Sequence, residues 1–135
     1  MILADTTFII DLLRNRHNVE QIKEEFENKN IVISLISISE IYTGLYYTKA
    51  KLGEESFTKK LKEIQNILLN FEILEMNEEI MISVGKLRAD RLLKGKPIDM
   101  VDLVIGATGK IYNVKSIITR NIKHFECWGI KLVNY

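Results

Sequence analysis

Apolar positions along this chain follow two rhythms. One is the step of three and four that marks a single face of a helix. Phe57, Leu61, Ile64, Leu68 and Phe71 keep that step while Lys59, Lys60, Lys62 and Glu63 fall largely outside it, which predicts an amphipathic helix against a core. Residues 77–93 predict another, with Asn77 as N-cap, Glu78 and Glu79 in the first turn, and Gly95 and Pro97 closing it. A further helix follows Pro97 and buries Val101, Val104, Ile105, Thr108 and Ile111. The other rhythm is the short apolar run of a strand: residues 1–4, 31–34, 72–74, 116–119 and 131–133. Such strands alternating with helices predict an α/β fold in three layers, α/β/α, around a central parallel sheet. Ligands of open sheets of this kind sit beyond the C-terminal ends of the strands.

A length of 135 residues predicts one domain, residues 1–135, large enough to bury about two-thirds of its unfolded surface. The lone Cys127 excludes an intramolecular disulfide and a cysteine-based zinc cluster, and points to a reducing compartment. No apolar stretch approaches the roughly 18 residues of a membrane helix, and the first Asp comes too early for a signal peptide, so the expected location is the cytoplasm. Nineteen Lys and Arg against eighteen Asp and Glu leave a net charge of +1. A global positive field therefore cannot grip nucleic acid, and any RNA site must be local.

Against that background three acids stand out. Asp5 ends the apolar run Met1-Ile2-Leu3-Ala4 and is followed by Thr6 and Thr7; Glu40 lies in Ser37-Ile38-Ser39-Glu40-Ile41, at the start of the helix after the second strand; Asp102 lies between Val101 and Leu103 near a buried helix start. A fourth element, Ser116-Ile117-Ile118-Thr119-Arg120-Asn121, ends a strand with a hydroxyl, a cation and an amide. Gathered carboxylates are costly unless they hold cations, and Mg²⁺ and Mn²⁺ prefer such hard oxygen ligands. Two of the acids also have an ordinary reading, Asp5 as the N-cap of a helix starting near Thr6 and Glu40 as an exposed helix glutamate, whereas Asp102 faces Gly106 and Gly109 at helical spacing and is harder to dismiss.

In their order and spacing these segments resemble the PIN-domain family, metal-dependent ribonucleases that include the VapC-type toxins of toxin–antitoxin pairs. The resemblance runs from Met1 to the C-terminus. It implies a PIN-like fold in which Asp5, Glu40 and Asp102 hold Mg²⁺ or Mn²⁺, with Asn121 completing the catalytic set, and in which RNA phosphodiesters are hydrolysed to a 5′-phosphate and a 3′-hydroxyl. It further implies a homodimer silenced by a small antitoxin protein. Asn121 occupies a place where many relatives carry a fourth Asp, which removes a charge and puts a second metal in question.

Thr7 and Thr119 match family hydroxyl positions and would orient carboxylates or water, or serve local turns. Asp99, just after Pro97-Ile98, reads as an N-cap close enough to support the site. Arg88, Arg91 and Arg120 are the candidate RNA phosphate contacts, although a basic stripe is usually a solvated face. Asp11 and Asp90 are expected on solvated faces, and His17 and His124 are too isolated to suggest a catalytic pair. A phosphatase of the haloacid-dehalogenase type also begins with a strand-end Asp but places a second Asp two residues later, where this chain has Thr7. The remaining alternatives are an RNA-processing PIN nuclease without an antitoxin, and a silent RNA- or partner-binding module.

Overall fold

The computed structural model describes residues 1–27 and 29–135, the side chain of His17 excepted. The expectation for His17 thus lies outside the described residues. Along the chain run β1 (Ile2–Ala4), α1 (Thr6–Leu13), α2 (His17–Glu25), β2 (Ile31–Ser34), α3 (Leu35–Leu52), α4 (Glu54–Leu68) and β3 (Glu72–Leu74). Then follow α5 (Glu78–Leu93), α6 (Met100–Ile111), β4 (Ser116–Ile118), α7 (Ile122–Phe125), a 3-10 turn (Glu126–Trp128) and β5 (Lys131–Val133).

Five parallel strands form one sheet in the order β3-β2-β1-β4-β5. Side chains alternate between its faces. Ile2, Ala4, Ile33 and Ile118 join Phe8, Ile9, Val19, Ile41, Leu45 and Ile64 on one side, under α1 to α4. Leu3, Val32 and Ile117 join Val84, Leu103, Phe125 and Trp128 on the other, under α5 to α7. Burial on both faces explains why the central strands β1, β2 and β4 read as near-continuous apolar runs rather than as alternating ones, whereas the edge strands β3 and β5 are more exposed.

The chain leaves β1 toward β2 and β3, then returns to add β4 and β5 on the other side. Neighbouring connections therefore diverge at the C-terminal ends of β1 and β4, opening the crevice where α/β sheets bind ligands. The backbone closes its floor: Asp5 N–H donates to Ile118 C=O at 2.9 Å, and Thr119 N–H to Val133 C=O at 3.0 Å.

Several expectations need correction. Helix α3 starts at Leu35, so Glu40 lies in its second turn and does not open it. Within the first turn Ser37 is buried and accepts a hydrogen bond from the Thr6 hydroxyl at 3.0 Å. Helix α4 ends at Leu68, leaving Phe71 in the turn before β3. Asp11 has no exposure at all, in place of the expected solvated face.

Candidate metal centre

Asp5 stands at the N-cap position of α1, yet its side chain makes no capping bond. Its carboxylate, 1% exposed, is instead held through one oxygen: Oδ2 accepts from Thr7 Oγ1 at 2.8 Å and from Thr119 Oγ1 at 2.8 Å. Thr119 Oγ1 in turn accepts the backbone N–H of Asn121 at 2.9 Å. An ordinary cap would lend its oxygen to the exposed helix N–H groups. Here the threonines hold it back, and Oδ1 has no hydrogen-bond partner among the described residues.

Glu40 in α3 and Asp102 in α6 lie near enough to Asp5 for its charge to reach both. Burial pushes the Glu40 carboxyl up, the nearby Thr6 hydroxyl works the other way, and the charges of Asp102, Asp5 and Asp99 add to the rise. Burial likewise raises Asp102, against the bond to His124, while Asp5 and Asp99 raise it further. Glu40 thus feels the charges of Asp102, Asp5 and Asp99, and Asp102 those of Asp5 and Asp99, as carboxylates near one another do. Asp99 does cap its helix, its Oδ1 accepting from Val101 N–H at 2.9 Å.

His124 corrects the expectation of isolation, because its Nδ1 lies 2.6 Å from Asp102 Oδ2. The pairing joins α7 to α6, and no local spacing could have disclosed it. Asp11 is the other buried acid that escaped the sequence reading. An acid inside the apolar run Phe8-Ile9-Ile10-Asp11-Leu12-Leu13 was its available signal. It is surrounded by Arg120 Nε at 3.0 Å from Oδ2, Tyr135 Oη at 3.0 Å from the same oxygen, and Arg16 Nε at 3.3 Å from Oδ1. The Arg16 contact is ionic, since Oδ1 has no directed hydrogen bond.

Asn121 is half-buried at the start of α7, and its side chain does not cap that helix. Arg88 is exposed on α5, whereas Arg91 Nε donates to the Lys96 carbonyl at 3.0 Å. Neither arginine bonds to a carboxylate of the crevice. Beside Glu40, between α1, α3 and α4, lies a cavity of about 160 Å³. Ile10, Leu13, Ile41 and Leu45 line it, Arg14 and Lys60 bring positive charge, and Gly44 leaves space where a Cβ would meet nothing within 4 Å.

Among the described residues, no three His, Cys, Asp or Glu side chains are placed so that they could hold a metal ion. Asp102 is engaged by His124. By their chemistry Asp5, Glu40 and Asp102 nonetheless suit a divalent cation: three carboxylates, one of them nearly fully buried with a spare oxygen. Such oxygens favour Mg²⁺ or Mn²⁺ over softer ions.

Residues 2–126 match the PIN domain. The chain is 33% identical over 125 residues to ribonuclease VapC1 of Methanocaldococcus jannaschii, covering 93% of this chain and 79% of that protein. Its fold superposes with a TM-score of 0.84 on VapBC2 from Rickettsia felis bound to a DNA fragment from their promoter, at 22% identity and covering 100% of this chain and 99% of that one. A toxin–antitoxin complex from Klebsiella pneumoniae gives a TM-score of 0.70 at 26% identity, covering 93% and 90%.

Proposed function

The chain belongs to the PIN-domain family, and on that footing we propose that it is a divalent-metal-dependent endoribonuclease of the VapC type, the toxin of a toxin–antitoxin pair. Asp5 carries this reading. A buried carboxylate at the crevice between β1 and β4 that caps no backbone N–H of its helix, and whose charge reaches Glu40 and Asp102, supports a ligand role over a capping one.

Asp5, Glu40 and Asp102 would hold Mg²⁺ or Mn²⁺. When bound, the ion activates water and offsets charge developing on phosphate oxygens. Thr7 and Thr119 fix Asp5 in one rotamer by donating to Oδ2. His124 does the same for Asp102 by engaging Oδ2, leaving the other oxygen for the site. Asn121, tied through its backbone to Thr119, offers an amide that can orient water. Water attacks phosphorus in line and the 3′-oxygen leaves, giving a 5′-phosphate and a 3′-hydroxyl. No side chain becomes covalently attached. The cytoplasm is the expected compartment, and no helix among the described residues is long and apolar enough to cross a membrane.

The antitoxin is a small protein whose apolar segment fits the cavity along α1 and α3, with a basic side chain reaching the carboxylates in place of metal charge. The toxin itself is a homodimer in this reading. Purified protein should cleave RNA only with added Mg²⁺ or Mn²⁺, leaving 5′-phosphate ends. Asp5→Asn should abolish cleavage with the fold intact. Cleavage that persists in chelator, or in Asp5→Asn with contaminating nuclease excluded, would refute the proposal.

A further inference from the structure

Asp11 is a fully buried carboxylate that the proposed chemistry does not use. Placing a charge there is costly unless it is well paired. Two guanidinium groups and the Tyr135 hydroxyl meet it, drawing together α1, the turn after β4 and the segment after β5. We propose that Asp11 and Arg120 are a positioning pair that sets the carboxylate of Asp5; the inference rests on the metal reading above and adds residues to it.

Both hydroxyls that hold Asp5 belong to segments joined by this pair. Arg120 stands between Thr119, which donates to Asp5 Oδ2, and Asn121, whose N–H donates to Thr119. Anchoring its guanidinium to Asp11 limits the freedom of that tripeptide. On the other side Asp11 lies four residues after Thr7, on the same face of α1. Thr7 is the second donor to Asp5 Oδ2. Tyr135 braces the junction: its Oη donates to Asp11 at 3.0 Å, stands 3.5 Å from Thr7 Oγ1, and its ring meets Phe8 edge-on with centroids 5.4 Å apart. The ion pair thus holds the two walls of the Asp5 pocket at a fixed separation. The Nε of Arg120 is taken up by Asp11, although the side chain as a whole stays 39% exposed.

Calorimetric titration of Mn²⁺ into the wild type, Asp11→Asn, Arg120→Gln and the double variant tests the pair, with RNA affinity measured separately in chelator. Residues that support a metal ligand typically cost 10-fold to 100-fold in metal affinity when changed. Each single variant should therefore bind Mn²⁺ about 10-fold more weakly, and the double variant no worse than the weaker single, because one pair is broken once. RNA affinity in chelator should stay unchanged, and higher Mn²⁺ should restore cleavage in both single variants. Wild-type Mn²⁺ affinity in Arg120→Gln, or losses that multiply in the double variant, would overturn the pair alone. So would weaker RNA binding in Arg120→Gln with none in Asp11→Asn, which would make Arg120 a phosphate contact. A wild type that binds no Mn²⁺ would instead remove the metal reading, and this inference with it. If Asp11→Asn does not fold, Tyr135→Phe keeps the ring and loses only the brace; it should weaken Mn²⁺ binding by a smaller factor than Arg120→Gln, and unchanged affinity in both variants overturns the proposal.

Discussion

Replacing Gly106 by Ala should cost stability and disturb the site together. Gly106 lies in α6 with no exposure to spare, and a Cβ added there would collide with the Trp128 indole, coming within 2.5 Å of its Cε2 and nearer still to Nε1 and Cδ1. Ordinary carbon contacts need at least about 3.5 Å, so the ring must move by about 1 Å or more. The indole is 7% exposed, and its Nε1 has no hydrogen-bond partner, so packing alone holds it. Overpacking of this kind costs up to about 3 kcal/mol, against a gain of about 1 kcal/mol for Ala over Gly in a helix, leaving a net loss of about 2 kcal/mol. With an unfolding entropy of about 2 cal/mol/K per residue over 135 residues, the melting temperature should fall by about 7 °C. Trp128 ends the 3-10 turn that follows His124, so its displacement should also loosen the bond from His124 to Asp102 and weaken Mn²⁺ binding. Differential scanning calorimetry of Gly106→Ala reads the first effect. In a Trp128→Leu background the same change should cost much less, since the obstacle is gone. A melting temperature that stays or rises in Gly106→Ala, or an equal penalty in both backgrounds, would refute the packing argument.

Other outcomes follow from the same geometry. In metal-free protein, Glu40 has its pKa raised above the usual 4.5, so its contribution to stability is present at acid pH and is lost as pH rises through the folded value. Glu40→Gln should therefore melt higher than the wild type at neutral pH and equal to it near pH 4; a gap that is independent of pH would contradict this. Chelator should stop cleavage yet leave the far-ultraviolet circular dichroism unchanged, because both cores are built from apolar side chains; loss of helical signal would mean the metal holds the fold. Asn121→Asp should lower the Mn²⁺ concentration needed for half-maximal cleavage by restoring a fourth acid beside Thr119, and an unchanged metal affinity would place residue 121 outside the site.

The central strands β1, β2 and β4 were legible in the sequence because burial on both faces leaves them almost wholly apolar, while the more exposed edge strands β3 and β5 showed only as short apolar runs; β2, β3 and β5 match their sequence bounds. Helix α2 was not legible. It turns little more than Val19 and Ile22 inward, a weak pattern in a polar stretch. Glu40 was found as a residue but misplaced in its helix, since α3 begins at Leu35 directly after β2, with no Gly or Pro to mark the boundary. Asp5 was legible as chemistry, but its withdrawal from capping depends on Thr119, which lies 114 residues away. The roles of His124 and Asp11 likewise arise from contacts between distant elements, which no local spacing encodes.

The central claim is that Asp5, Glu40 and Asp102 together hold the ion that RNA cleavage requires. Mn²⁺ titration of metal-stripped wild type, Asp5→Asn and Asp102→Asn, with RNA cleavage assayed on the same preparations, tests it most directly. The wild type should bind Mn²⁺ and cleave RNA, while each variant keeps its circular dichroism spectrum and loses metal affinity and cleavage in parallel, by at least about 10-fold. Wild-type affinity and wild-type cleavage retained in either variant would contradict the claim.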